Sequence, residues 1–355
     1  MERMDLYRLT GSSDQLFGIR DYSLHGGRAE RMRALELYNQ SGLSLTVLPD
    51  RGMDLAALKY RGTNLSFLSH TGFVSPAYFQ EDGNRGFMRN FYVGFLTTCG
   101  LSYMGASCQE TDRVLGLHGV ISNTPAEEAG YTVDVEDGGS SLKIRGKVRE
   151  SEVFGPHLVL TREITNRDEE SSFCITDTIE NQGLEPSPFM MLYHLNFGYP
   201  MLSPDCELLL PTRQVRPRDQ EAELGIDEYL KITYPADGGK EQVFFHEMKA
   251  GGDGQVEVML YNPKEQIGVT IAYPYEALPY FTQWKCMRSG EYVLGLEPGN
   301  CQVNGRVKEQ QEGRVRYLAP GEKARHQIRV AVTSGDGAAA ARDRWLQRWR
   351  EGNHR

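Results

Sequence analysis

The sequence predicts an all-β protein, a large antiparallel β-sandwich with a short C-terminal helix. Three observations carry this expectation. Short runs that alternate apolar and polar residues recur between residues 43 and 332. Turn-forming clusters separate them. Helical periodicity stands out only in the tail.

The first clear run is Leu43-Ser44-Leu45-Thr46-Val47, whose period of two is that of a half-buried strand. Similar runs follow at residues 131–135, 142–148, 158–164, 173–179, 256–260, 267–273, 292–296, 315–318 and 327–332. Between them lie Glu136-Asp137-Gly138-Gly139, Asn166-Arg167-Asp168, Asn181-Gln182-Gly183 and Ala319-Pro320-Gly321. Such spacing predicts antiparallel hairpins in a sandwich or barrel. Gly251-Gly252-Asp253-Gly254 reads as a further hairpin loop, not as a phosphate loop, because no Gly-Lys-Ser/Thr follows it. In the tail, residues 338–350 form a helix that places Trp345 and Trp349 on one face, toward the sandwich. Its Arg-rich opposite face reads as solvated.

A chain of 355 residues suggests two domains on length alone, but sandwiches run long as single units. With no repeat and no low-complexity linker, the expected organisation is one domain over residues 1–335 and a helix and tail over 336–355. Hydrophobic residues at 39% and charged residues at 25% describe an ordinary globular chain, able to bury its core without disulfides or metals. A net charge of −9 argues against nucleic acid and anionic membranes as partners. The six cysteines form no CxxC pair and no zinc pattern, so they read as small buried free thiols. With no signal-like N-terminus and no run near the ~20 apolar residues of a membrane helix, the expected location is cytoplasmic.

Three segments break the strand rhythm with polar residues. In Leu117-His118-Gly119 a histidine stands beside glycine, where backbone and substrate can approach closely; the alternative is a turn histidine bonded to a carbonyl. In Tyr193-His194-Leu195-Asn196-Phe197, read as a strand, His194 and Asn196 share one face. A His–Asn pair with aromatic neighbours suits sugars, which offer hydroxyls to polar groups and C–H faces to rings; a satisfied core histidine is the other reading. In Leu294-Gly295-Leu296-Glu297-Pro298, Glu297 closes an apolar strand. It is either exposed at the strand end or a buried base whose pKa is raised.

The order of a His-Gly turn, a Tyr-His-x-Asn strand and a Leu-Glu-Pro strand end resembles the galactose mutarotase (aldose 1-epimerase) superfamily. The closer resemblance is to a divergent aldose 1-epimerase-like branch grouped as a domain of unknown function (DUF4432). It is carried by Leu48-Pro49-Asp50-Arg51-Gly52-Met53-Asp54-Leu55, Gly94-Phe95-Leu96-Thr97-Thr98-Cys99-Gly100-Leu101, His118-Gly119 with Asn123-Thr124-Pro125-Ala126, and Leu192-Tyr193-His194 with Gly198-Tyr199-Pro200. It spans most of the chain and leaves out the tail helix. The resemblance implies a β-supersandwich, with His118 binding substrate, His194 as general acid and Glu297 as general base. It also implies a substrate-binding arginine ahead of the first histidine. Arg85 and Arg89 are the candidates, and Arg89 is preferred because it leads directly into Gly94–Gly100. For the family's sugar-binding aspartate, Asp177 is the available candidate, against a surface hairpin charge. Asp50-Arg51-Gly52-Met53-Asp54 reads as an internal salt bridge fixing a turn, with Arg51 or Asp54 in the pocket as the alternative. Trp284 could stack on a sugar ring and Lys285 could reach an acid group, but alternation allows only one of the two to line the site.

The implied activity is sugar mutarotation by one acid and one base, needing neither cofactor nor metal. The expected partner is a small sugar or sugar derivative, and a homodimer is a possible assembly. Two histidines and a glutamate also match a His₂Glu metal site, which would make the chain a metal-dependent sugar isomerase, although HxH and HExxH spacings are absent. The remaining alternative is a carbohydrate-binding protein without turnover, since sandwiches host many binding modules.

Overall fold

The computed structural model describes residues 3–111 and 113–353. Two antiparallel sheets face each other across one apolar core. The larger has 12 strands and the smaller 8. In the larger sheet, Ser187–Phe197 is central, flanked by Leu96–Leu101 on one side and Glu291–Gly299 on the other. Beyond Glu291–Gly299 come Tyr280–Arg288, Glu241–Met248 and Thr212–Pro217 in that order. The smaller sheet runs from Ala126–Asp134 through Ser141–Ser151, His157–Arg167 and Ser172–Asn181 to Lys323–Ser334 and beyond.

Each alternating run named from sequence falls on a strand, although Val135 and Val315 lie one residue outside theirs, and the strands extend one to several residues past most of the apolar runs. Alternation explains the core. Leu142, Ile144 and Val148 of the small sheet meet Met191, Tyr193, Leu195 and Phe197 of the large one in a single buried cluster. The tail helix, Asp336–Asn353, docks through Ala338 and Trp345 onto Leu209, Met259 and Tyr261.

The hairpin expectation needs correction at three turns. Residues 136–139 and 166–168 do close hairpins within the small sheet. Gly251–Gly254, by contrast, joins Glu241–Met248 of the large sheet to Gln255–Asn262 of the small one. The segments around Asn181-Gln182-Gly183 and Ala319-Pro320-Gly321 likewise pass from one sheet to the other. A turn signal marks a change of direction, and nothing in it says which sheet receives the next strand. The described residues hold six free cysteines: Cys99, Cys286 and Cys301 are buried, while Cys108, Cys174 and Cys206 are half-buried. None of the described helices is long and apolar enough to cross a membrane.

Candidate active site

The large sheet has an inner face toward the core and an outer face covered by loops. On the central strand Tyr193 points in and His194 points out, by the two-residue period. Glu297 reaches the same outer face from the neighbouring strand, opposite Thr282 in the register. That strand continues to Gly299, so Glu297 is not at its end; it is 2% exposed. Gly295 makes this possible, because a Cβ there would collide with Glu297 Oε1.

His194 Nε2 lies 3.2 Å from Glu297 Oε1. On its other side, His194 Nδ1 is 2.6 Å from Asn196 Oδ1. Asn196 Nδ2 donates to the His194 carbonyl at 2.7 Å, so its Oδ1 is the acceptor and Nδ1 carries the ring proton. Nε2 therefore presents a lone pair to Glu297. Asn196 is fully buried and acts on the imidazole, not on a ligand.

His118 stands edge-on to His194, with ring centroids 5.9 Å apart. Its backbone is left-handed, with φ 59°, a strained state for a residue with a side chain. Two hydrogen bonds hold it there: its N–H donates to Gly105 O at 2.8 Å and its carbonyl accepts from Gly100 N at 3.0 Å. Gly119 must be glycine, since a Cβ would collide with the Gly100 carbonyl. Three buried polar atoms here make no hydrogen bond: His118 Nδ1, Thr282 Oγ1, and Glu297 Oε1, which has only its 3.2 Å contact with His194 Nε2. Buried polar groups are ordinarily satisfied, so these are ready to meet a polar ligand.

Burial sets the charges. It drives the His194 imidazole down to about 4, against the upward pull of the Asn196 hydrogen bond and the Glu241 carboxylate. It drives His118 down to about 3, helped by the charges of His194 and Arg218. It holds the Glu297 carboxyl well above the ordinary carboxylate range, with Glu241 adding to the rise and Arg218 opposing it. Burial thus favours the uncharged form of both members of the His194–Glu297 contact.

Aromatic rings cover the pair. Phe91 and Trp284 lie 5.3 and 5.1 Å from the His194 ring, and Phe87 lies 5.1 Å from His118. Phe91 and Trp284 also form the floor of a cavity of about 580 Å³ that opens to solvent between the Thr212–Pro217 side of the sheet and the loops near residue 70. His118, His194 and Glu297 do not line this cavity themselves; Phe91 and Trp284 stand between it and the His194 ring.

Of the residues singled out from sequence, His118, His194, Asn196, Trp284 and Glu297 come together. Arg89 does not. It caps a short helix on the surface and pairs with Asp82 at 3.0 Å. Asp177 is neither at the site nor on the surface: inside the sandwich it takes two bonds from Arg162, at 2.9 and 2.7 Å, and one from the Tyr193 hydroxyl at 2.7 Å. Lys285 points away from the site and donates to Glu228 O at 2.9 Å. Arg51 and Asp54 form no salt bridge with each other. Arg51 donates to the carbonyls of Ser122, Val74 and Asn90 and ties three loops together, while Asp54 joins Arg162 and Thr98 in the core. Sequence reasoning missed Phe91, Thr282, Arg218 and Glu241. Thr282 was reachable, since it shares a strand face with Trp284. Among the described residues, no three His, Cys, Asp or Glu side chains assemble in metal-binding geometry.

The model of a domain of unknown function (DUF4432) matches residues 29–332. The chain belongs to this family. A candidate aldose 1-epimerase from Klebsiella pneumoniae has the same fold, with TM-score 0.89 over 95% of this chain and 90% of that one, at 26% identity. A galactose mutarotase-like protein from Clostridium acetobutylicum superposes with TM-score 0.63 over 90% of this chain and 100% of its own, at 12% identity. Galactose 1-epimerase from Lactobacillus acidophilus gives 0.59 over 90% and 99%, at 12% identity. The last two likenesses concern the fold alone, which is that of the galactose mutarotase-like sandwiches. No curated protein matches.

Proposed function

We propose that this DUF4432 chain is an aldose 1-epimerase-like isomerase that interconverts sugar anomers with His194 and Glu297 as its acid–base pair. The observation that supports this most is the buried contact of His194 Nε2 with Glu297 Oε1 at 3.2 Å, with the imidazole oriented from behind by Asn196. Binding alone calls for hydroxyl partners, whereas a desolvated carboxyl and imidazole sharing one proton are suited to moving it.

The pair has two proton arrangements of equal net charge. In one, Glu297 is a carboxylate and His194 an imidazolium; in the other both are neutral. Ring opening converts the first into the second. Glu297 takes the proton from the anomeric hydroxyl, and the O–H electron pair becomes the second bond of the C1 carbonyl. The C1–O5 bonding pair moves to the ring oxygen, which receives the Nε2 proton of His194. The aldehyde turns about C1–C2, and reclosure runs the same transfers backwards. Burial favours the neutral arrangement, so the ionised arrangement from which ring opening starts is the less populated of the two. His118, neutral and with Nδ1 unpartnered, would hold a hydroxyl near the ring oxygen.

The test is a panel of aldoses, ketoses and sugar acids followed by NMR exchange between anomers. Saturation transfer above the uncatalysed control for at least one sugar is expected. A chain that binds sugars and accelerates none of them would be a binding protein instead.

A further inference from the structure

The acid–base pair leaves the cavity on the far side of Phe91 and Trp284 without a role. We propose that Arg218 and Glu241 form its recognition pair, reading two adjacent hydroxyls of a sugar ring by donating to one and accepting from the other. This rests on the carbohydrate reading above and names the residues that set its specificity.

Neighbouring strands bring the two together. Arg218 directly follows Thr212–Pro217, Glu241 opens Glu241–Met248, and the Arg218 N–H donates to Val243 O at 2.9 Å. Both side chains line the cavity together with Phe91 and Trp284. Arg218 Nη2 donates to Glu241 Oε1 at 3.1 Å, and Glu241 Oε2 accepts from Trp284 Nε1 at 2.8 Å. On its far side Arg218 is held by Asp219, with Nε at 2.9 Å. The guanidinium is therefore fixed by two carboxylates, while its Nη1 has no hydrogen bond among the described residues. A carboxylate has about four acceptor sites, so Glu241 keeps capacity beyond its two bonds.

The other cations lining the cavity are less well placed. Lys240 is tied to Glu221 and Arg288 to Glu291, with side chains 72% and 52% exposed, against 31% for Arg218. Water and salt screen them more. The pair is also coupled to the chemistry through Trp284, whose indole is bonded to Glu241 at its nitrogen and packs 5.1 Å from the His194 ring. A sugar ring lying on that indole has its reducing end toward His194 and its remote hydroxyls toward Arg218 and Glu241. A donor fork beside an acceptor matches two neighbouring hydroxyls, each of which can both give and take a hydrogen bond.

The experiment uses R218Q and E241Q in the full chain. Glutamine at position 241 retains an acceptor for Trp284, so the cavity wall stays in place, and thermal melting checks the fold of both variants. The probes are glucose, galactose, mannose, xylose and arabinose, then the monodeoxy derivatives of whichever binds best. Binding is read from tryptophan fluorescence and turnover from NMR exchange. Each variant should weaken binding and raise KM about 10- to 100-fold, the usual worth of a hydrogen bond to a charged group, with kcat changed much less. One monodeoxy sugar should bind wild type about as weakly as its parent binds R218Q, and R218Q should no longer tell the two apart. Variants with KM and deoxy-sugar preference unchanged, on an active wild type, overturn the pair and leave the reaction standing. Wild type that binds but does not turn over, with binding lost in the variants, overturns the reaction and leaves the pair standing. Wild type that binds none of the probes overturns both.

Discussion

Replacing Glu297 by glutamine separates catalysis from stability. Burial holds the Glu297 carboxyl well above its ordinary range and so favours its uncharged form. Glutamine has nearly the same shape and is also neutral, so the exchange opens no cavity and strands no charge. Its amide can donate to His194 Nε2, 3.2 Å from the present oxygen. The stability change should stay below about 1 kcal/mol, which for a chain of this size moves Tm by no more than about 2 °C. Turnover should respond differently. A positioned base contributes about 10²–10⁴-fold, or about 3–5 kcal/mol of barrier, and the amide cannot take the anomeric proton. Anomer exchange by NMR and thermal melting at pH 7, on wild type and E297Q together, measure the two quantities. Turnover within threefold of wild type would refute the base assignment. A fall of many degrees in Tm would show that the carboxylate is charged and bonded in the resting state, against the burial argument.

Three buried histidines and the half-buried His118 make the fold acid-sensitive. His194, His246 and His326 are driven down to about 4 and His118 to about 3, in each case chiefly by burial. A lowered imidazole pKa means that the unfolded chain binds more protons, so the stability is complete above about pH 6.5 and lost as pH falls toward 4. Each histidine contributes up to about 1.4 kcal/mol per pH unit in that window. Asp54, raised to about 7, and Glu297, held well above its ordinary range, have the opposite sign and together offset about two of them. Tm should therefore drop steeply between pH 6.5 and 4.5, and a flat profile would contradict the burial of these rings. Arg162→Met leaves Asp54 and Asp177 buried without their cation and should cost about 3–5 kcal/mol in denaturant unfolding; an unchanged midpoint would exclude the bonded network. Asn196→Asp sets a carboxylate against His194 Nδ1, so the imidazole pKa rises and the acid limb of the kcat/KM profile moves up by about 1–3 pH units. No shift would mean that Asn196 does not hold that proton.

The sandwich was legible because its strands face two ways. Period-two alternation is written directly into runs such as residues 142–148, which lie within the strand Ser141–Ser151. Strands of the large sheet buried on both faces were harder. Leu96–Leu101 is buried at all six positions and shows no alternation to read. His194, Asn196 and Glu297 were found because a polar residue in an apolar strand is conspicuous, and Trp284 because rings and sugars suit each other. Arg89 and Asp177 were misplaced for a common reason. Chain order and residue type say that an arginine or aspartate is near in sequence, while the partner that captures it is decided by packing. Arg89 met Asp82 seven residues away at the surface, and Asp177 met Arg162 across a hairpin in the core. Arg218 and Glu241 carried no signal at all, because their place beside Trp284 exists only once three strands are laid side by side.

The misplaced aspartate nevertheless bears on the site. Tyr193 and His194 are consecutive on the central strand and face opposite ways. The Tyr193 hydroxyl donates to Asp177, which is locked to Arg162, which reaches Thr98 and Asp54 on the other side of the core. Thr97, next to Thr98, is in register with His194. The inner face of the two strands is thus pinned by a charged network between the sheets, and the outer face of the same strands carries the imidazole. An acid–base pair works only if its atoms are already placed when the sugar arrives, because reorganisation would add to the barrier. A strand fixed from behind by directional bonds holds His194 more tightly than apolar packing alone, which tolerates small slides. Loss of Arg162 should therefore loosen His194 as well as the core. In a variant stable enough to assay, it should lower kcat without changing which sugar binds, since the recognition groups stand on other strands.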